Sequence, residues 1–205
     1  ILSYLSQKRW KLAKLLAKAG VHFPDFHEKS RKLVFYSEDQ SVKMIYVKAV
    51  DVTTYVEQGA ADVGIAGKDN ILESEANIYE LLDLKLGICK FSIASLHEDS
   101  LERGSTVKVA SKYPNVTKSY FKKRGIPVEV IKLNGSVELA PIIGLADYIV
   151  DIVETGSTIR ENGLSIIADV ADISTRLIVN KASLATKTDN IQQLIEQLKQ
   201  ALNAS

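Results

Sequence analysis

Strand-length apolar runs alternate with helix-period runs along most of this chain, and no apolar run is long enough to cross a membrane. That alternation is the first constraint on the fold, because helices returning the chain between strands favour α/β layering with a largely parallel sheet. Residues 1–6 alternate like a strand. Residues 9–19 place Trp10, Leu12, Leu15, Leu16 and Ala19 at helical spacing, with Gly20 just past the end. Strands are predicted over 32–37 and 43–48, followed by a helix N-capped by Asp51 that turns Val52, Tyr55 and Val56 inward and ends at Gly59. Residues 63–67 read as a short buried strand. A second series runs strand 107–110, a helix from Pro114 to Gly125, strand 128–131, loop 132–135 and a helix from Ser136. Strands 164–168 and 175–179 and an amphipathic helix over 189–202 complete the pattern.

The patterning weakens near residues 98–105 and again near Ala171-Asp172. Two such crossings predict two lobes, residues 1–96 plus 174–205 and residues 97–173, and a cleft between lobes is a common ligand site. The 205 residues are 46% hydrophobic and 25% charged, as in a soluble globular protein. A formal charge of +1 supplies no field that would select nucleic acid or an anionic membrane. One cysteine, Cys89, and three histidines without ligand spacing exclude a disulfide framework and a Cys-rich zinc site. The first residues do not read as a signal peptide, so a cytoplasmic location is expected.

The segment most informative about chemistry is 148–160, Tyr-Ile-Val-Asp-Ile-Val-Glu-Thr-Gly-Ser-Thr-Ile-Arg. A β-branched run reads as a buried strand carrying Asp151 and Glu154 at its carboxyl end. It breaks into Thr155, Gly156, Ser157 and Thr158, which open a short helix. Free N–H groups at a helix start, joined by hydroxyls, make a phosphate cradle, and glycine admits the anion close to the backbone. The upstream acids suit the hydroxyls of a sugar phosphate. Read alone, the same turn is equally an ordinary strand-to-helix connection capped by Ser and Thr.

Several ordered blocks carry a resemblance. They are Asp51-Val52-x-Thr54-Tyr55-Val56-Glu57-x-Gly59-Ala60-Ala61-Asp62, Gly64-Ile65-Ala66-Gly67-Lys68-Asp69, Lys112-Tyr113-Pro114, the run from Ile131 to Pro141, segment 148–160, and Ser174-Thr175-Arg176-Leu177-Ile178-Val179-Asn180. With these blocks the chain resembles the short form of ATP phosphoribosyltransferase, the family that opens histidine biosynthesis. The resemblance implies the fold of type II periplasmic binding proteins, two α/β lobes around a cleft. It implies transfer of phosphoribosyl from phosphoribosyl pyrophosphate to N1 of ATP adenine, with Mg²⁺ carried by the pyrophosphate rather than held by protein side chains. Relatives commonly begin with a strand ending in Lys-Gly-Arg; here Ser6-Gln7-Lys8-Arg9 stands in that place without the glycine. Lys48 stands where relatives commonly have arginine, keeping the charge without the planar fork.

On this resemblance Asp151 and Glu154 accept from the ribose hydroxyls, and Thr155, Gly156, Ser157 and Thr158 hold the 5′-phosphate. Arg31 and Arg9 are the catalytic cations for the leaving pyrophosphate. Lys48, Lys68, Asp69, Cys89, Gly135, Ser136 and Glu138 are candidates for contact with ATP. Read from the residues alone, Arg31 is a solvated residue before a strand, Lys68-Asp69 is equally a phosphate-suited turn or a plain helix start, and Cys89 is a core residue. The short form implies a homodimer that joins a regulatory subunit resembling histidyl-tRNA synthetase, commonly as a hetero-octamer. The alternatives are a non-catalytic two-lobed module for a phosphorylated ligand and a different phosphoribosyltransferase.

Overall fold

The computed structural model describes residues 6–27, 30–97 and 106–204, with backbone alone for 6–10. The chain divides into two compact units, Ile1–Gly87 with Ser174–Ser205, and Ile88–Ile173.

In the first unit, helix α1 (Ser6–Lys18) is followed by a hairpin of β1 (Val34–Tyr36) and β2 (Lys43–Ile45). A 3-10 turn at Ala49–Asp51 leads into α2 (Val52–Glu57), then β3 (Val63–Gly67), α3 (Lys68–Ser74) and β4 (Tyr79–Asp83). The second unit holds β5 (Cys89–Ser95), β6 (Val107–Ser111), α4 (Pro114–Lys123), β7 (Val128–Lys132), α5 (Leu139–Ile142), β8 (Tyr148–Val153), α6 (Ser157–Glu161) and β9 (Ser165–Ile173). The chain returns to the first unit as β10 (Thr175–Val179), α7 (Lys181–Thr186) and α8 (Thr188–Asn203).

The sheet of the first unit has the order β3-β10-β4, with β10 antiparallel to both neighbours. Leu177, Ile178 and Val179 of β10 are fully buried because apolar cover lies on both faces. Leu177 and Val179 face Leu12, Leu15 and Leu16 of α1 and Ile191, Ile195 and Leu198 of α8, which recur at helical spacing. Ile178 faces Val52 and Val56 of α2. Gly64 lies against that helix so closely that an added Cβ would stand 2.6 Å from Val56 Cγ2 and 3.1 Å from Ile178 Cγ1.

The second unit has a five-stranded sheet in the order β7-β6-β8-β5-β9. Only β6 with β7 and β6 with β8 pair in parallel; β5 runs antiparallel to both β8 and β9. The expected largely parallel sheet is therefore a mixed one, confined to three parallel strands in the second unit. Helices α5 and α6 cover one face through Ala140 and Ile159, which pack with Ile149 of β8. On the other face Tyr113, just before α4, meets Phe91 edge-on at 4.8 Å between ring centroids.

Other expectations are corrected. Residues 88–96, placed by sequence in the first lobe, belong to the second unit because β5 hydrogen-bonds to β8 and β9. The weak stretch near Ala171-Asp172 lies inside β9, which runs on to Ile173. Asp51 makes no side-chain cap, because a 3-10 turn already leads into α2. Helix α1 begins at Ser6 rather than Arg9, and the helix expected from Ser136 begins at Leu139 after a turn in which Ser136 has φ +48°. The strand expected over 1–6 and the weak stretch over 98–105 lie outside the described residues, apart from Ser6. Substituting Gly64→Ala should lower unfolding stability by about 1–3 kcal/mol through overpacking, read as a lower urea midpoint; an unchanged midpoint would contradict this packing.

Candidate active site

Three parallel strands end side by side in the second unit, and their loops form one edge. Strand β6 opens into Ser111-Lys112-Tyr113-Pro114, β7 into residues 133–138, and β8 into residues 154–158. Carboxyl ends of parallel strands are the usual ligand edge of α/β sheets, since the helix starts that follow them direct N–H groups there. Hydrogen bonds stitch the edge together. Ser111 Oγ donates to the Val150 carbonyl at 2.6 Å, the Tyr113 N–H donates to Ser111 Oγ at 2.9 Å, and the Leu133 N–H donates to the Ser111 carbonyl at 3.0 Å.

At the end of β8, Gly156 is buried at φ +72°, and a Cβ there would lie 2.9 Å from Arg160 Nη1. That left-handed step turns the strand into α6 and favours glycine. Thr155, Ser157 and Thr158 are exposed beside it. Thr155 Oγ1 and Ser157 Oγ lie 3.0 Å apart, and Arg160 Nη2 donates to the Thr155 carbonyl at 3.1 Å. The loop is thus fixed from within while its hydroxyls face outward.

Asp151 is partly buried on the face of α5 and α6, directly opposite Ser92 of β5. Burial pushes its carboxyl above the ordinary carboxylate range; the N–H of Ile152, donating at 2.8 Å, works against that. The Glu138 carboxylate raises it further and the Lys112 ammonium lowers it. Charges from the loops after β6 and β7 therefore act on one carboxyl group of β8. Beyond Ser92 the same face continues to Asp169, which accepts from Ser92 Oγ at 3.1 Å and from Lys90 Nζ at 2.5 Å. Glu154 is exposed, and Gly135 and Ser136 are exposed in the β7–α5 loop.

In the first unit, the hairpin turn is tied by Asp39, whose carboxylate accepts from Ser37 Oγ at 2.6 Å and Ser41 Oγ at 2.7 Å; these bonds hold its pKa down to about 2. At the hairpin's other end the Tyr46 N–H donates to the Leu33 carbonyl at 2.8 Å. That register brings Arg31 and Lys48, both exposed, to the same end of the hairpin. Lys68 starts α3 and pairs with Glu80, which also meets Arg176 Nη1 at 3.3 Å, so its ammonium is already engaged. Asp69 folds back over Gly67, where a Cβ would come within 2.1 Å of its Oδ1. Cys89 is buried at the start of β5. Arg9 lies in the first turns of α1 by its backbone; its side chain is outside the description. Among the described residues no three His, Cys, Asp or Glu side chains gather as metal ligands, and no helix is long and apolar enough to cross a membrane.

A cavity of about 410 Å³ opens at the opposite edge of the second sheet, lined by Ser95, His97, Thr106, Asp147 and Tyr148 among others. Its one carboxylate, Asp147, already accepts from the Lys108 N–H at 3.0 Å. The converging charges lie at the other edge, and the chemistry is assigned there.

The family model described as HisG, ATP phosphoribosyltransferase, matches residues 48–200. An ATP phosphoribosyltransferase of Oceanobacillus iheyensis is 58% identical over 90% of this chain and 89% of its own length. One from Clostridium novyi is 50% identical over 94% of this chain and 92% of its own. The chain belongs to the ATP phosphoribosyltransferase family. Among solved structures, the ATP phosphoribosyl transferase (HisG:HisZ) complex from Thermotoga maritima matches with a TM-score of 0.81 and 34% identity, covering 96% of this chain and 94% of that one. The alkanesulfonate-binding protein SsuA of Xanthomonas axonopodis pv. citri, at 14% identity and a TM-score of 0.53 over 98% of this chain and 71% of that one, shares the fold alone. The two α/β units are those of the type II periplasmic-binding-protein class, as the sequence reading expected.

Within this family member, sequence reading singled out Asp151, Glu154 and residues 155–158 from one segment, and found Gly135, Ser136 and Glu138 separately. The parallel register gathers both groups at one edge of one unit. It also brings in Lys112, which sequence reading quoted in a family block but did not assign to the site.

Because the folded chain holds the Asp151 proton more tightly than the unfolded chain, this group's contribution to stability is full below the unfolded carboxylate range. It is lost as pH rises through the folded value. Asp151→Asn should therefore melt above the wild type at about pH 7, with the gap closing toward about pH 3. A variant that melts lower at neutral pH would contradict this account of the buried carboxyl.

Proposed function

We propose that the chain transfers phosphoribosyl from phosphoribosyl pyrophosphate to N1 of ATP adenine, releasing pyrophosphate, and that the β8–α6 segment holds the sugar phosphate. The observation that carries this reading is the convergence at one sheet edge of a partly buried carboxyl, Asp151, and a glycine-turned loop of exposed hydroxyls. Displacement at the anomeric carbon builds positive charge on the ring and negative charge on the leaving group. Asp151 and Glu154 accept from the ribose hydroxyls, and these charge-assisted bonds strengthen as the ring becomes cationic. Thr155, Gly156, Ser157 and Thr158 take the 5′-phosphate through hydroxyls and the N–H groups at the start of α6.

The leaving pyrophosphate needs cations. Arg31 supplies a guanidinium fork, and Lys48 at the same hairpin end adds a second positive charge. Arg9 is the further cation proposed on the family pattern. Lys68, Asp69, Cys89, Gly135, Ser136 and Glu138 remain the proposed nucleotide contacts, with Lys68 having to leave Glu80 to reach phosphate. Mg²⁺ enters with the pyrophosphate as part of the substrate. Adenine N1 is a lone-pair nucleophile, so positioning and leaving-group stabilisation carry the reaction without a general base.

Similarity to a chain of a HisG:HisZ complex supports assembly with a second kind of subunit; the family resemblance adds that the chain is a homodimer, that this subunit resembles histidyl-tRNA synthetase, and that the assembly is cytoplasmic. Purified chain supplied with that subunit, ATP, Mg²⁺ and phosphoribosyl pyrophosphate should give the absorbance gain of phosphoribosyl-ATP. EDTA should abolish the gain and added Mg²⁺ should restore it. Arg31→Ala and Asp151→Asn should each lower kcat/KM about 10²–10³-fold without loss of the folded circular-dichroism spectrum. Wild-type turnover in both variants would overturn the assignments, and phosphoribosyl pyrophosphate binding without any turnover would favour a plain binding module.

A further inference from the structure

Among the described residues, Lys112 is the cation that the sheet register brings beside Asp151. Strands β6 and β8 pair with Ser111 opposite Val150, so Lys112 and Asp151 are the next residues along neighbouring parallel chains. The bond from Ser111 Oγ to the Val150 carbonyl fixes that register one step before them, and the Tyr113 N–H bond to the same Oγ fixes the loop one step after. Lys112 is exposed and makes no salt bridge among the described residues. Its Nζ lies 5.8 Å from the ring centroid of Tyr113, a buried side chain itself braced on Phe91. An exposed lysine would ordinarily sweep through solvent; this one has its base anchored on both sides beside Asp151.

We infer that Lys112 is a positioning residue of the phosphoribosyl site, the counter-charge that lets Asp151 and Glu138 act together as acceptors on one ribose. The inference rests on the assignment of Asp151 to the sugar. It also moves Glu138 from the nucleotide, where sequence reading put it, to the ribose. Two carboxylates that feel one another repel, and burial adds to the pressure on Asp151 to take a proton. A protonated Asp151 could no longer offer a full charge to a ring becoming cationic. The other charged groups around Asp151 cannot supply this compensation. Glu138 from the β7–α5 loop and Glu154 on its own segment are acids. Asp169 of β9, reached through Ser92, is already paired with Lys90, and Arg160 of α6 donates to the Thr155 carbonyl.

The test compares wild type, Lys112→Met, Lys112→Gln and Lys112→Arg, each assembled with the partner subunit, in kcat/KM for phosphoribosyl pyrophosphate from about pH 5 to about pH 9. The neutral variants should move the acid limb upward by about 0.5–1 pH unit, and Lys112→Arg should leave it in place. Melting temperatures of all the variants should match the wild type at about pH 3, where Asp151 is protonated in the folded and unfolded chain alike, and at about pH 7 only the neutral variants should melt slightly lower. An unmoved acid limb in both neutral variants, or an equal displacement in Lys112→Arg, would overturn the inference. Asp151→Asn in the same assay separates the two levels. Wild-type activity there would sink the ribose assignment itself, whereas lost activity there with an unmoved limb in Lys112→Met and Lys112→Gln sinks only the role of Lys112.

Discussion

Strand β8 is buried over Tyr148, Ile149 and Val150 and then runs out of apolar cover at Asp151. The rest of the second unit depends on that transition. An apolar strand covered on both faces can carry a polar group only near its end, and a partly buried carboxyl there has to find partners or give up its charge. The partners come from the neighbouring parallel strands, because parallel pairing puts the carboxyl ends of β6, β7 and β8 at one edge. Ser111 holds two of those ends together through a hydroxyl with no exposed surface. Packing and chemistry therefore share one cause: the core that buries β8 also delivers an acid, a lysine and a hydroxyl-rich turn to a single edge.

The first unit solves a different problem. Its central strand, β10, is antiparallel to both neighbours and apolar on both faces, while its first residues carry charge. Arg176 meets Glu80 and Asp83 at 3.3 Å each, Ser174 Oγ donates to Asp83 at 2.8 Å, and Lys68 completes the set through Glu80. The charges are balanced within this half-buried group, which makes it a structural network before anything else. Arg31 and Lys48, which make no ion pair among the described residues, stand instead at the open end of a hairpin whose turn is tied by Asp39. A hydrogen-bonded turn at one end and exposed cations at the other suit a hairpin that presents charge.

Much of this was legible in the residues. Helix α8 follows directly from the spacing of Ile191, Ile195 and Leu198, and β8 with its glycine turn follows from 148–160. Strands β4 and β5 were not legible. Strand β5 reads Cys-Lys-Phe-Ser-Ile-Ala-Ser, where Ser92 and Ser95 look like loop residues. Both are buried, and they are tolerated because Asp169 and the Asp147 carbonyl accept their hydroxyl protons. Those partners lie far along the chain, so no local pattern announces them. Missing β5 also misplaced the boundary between the units and hid the antiparallel half of the sheet.

By itself the sequence determined the α/β class, the family, and the single segment that joins a buried strand to a phosphate-sized turn, because these are written in local periodicity and contiguous residue types. Only the tertiary structure decided which loops meet that segment, which acid is buried, and that Lys68 is engaged with Glu80 while Lys112 stands by Asp151. The physical reason is register. Hydrogen bonding between β6, β7 and β8 sets residues far apart in the chain side by side, and charge interactions depend on that distance rather than on sequence separation.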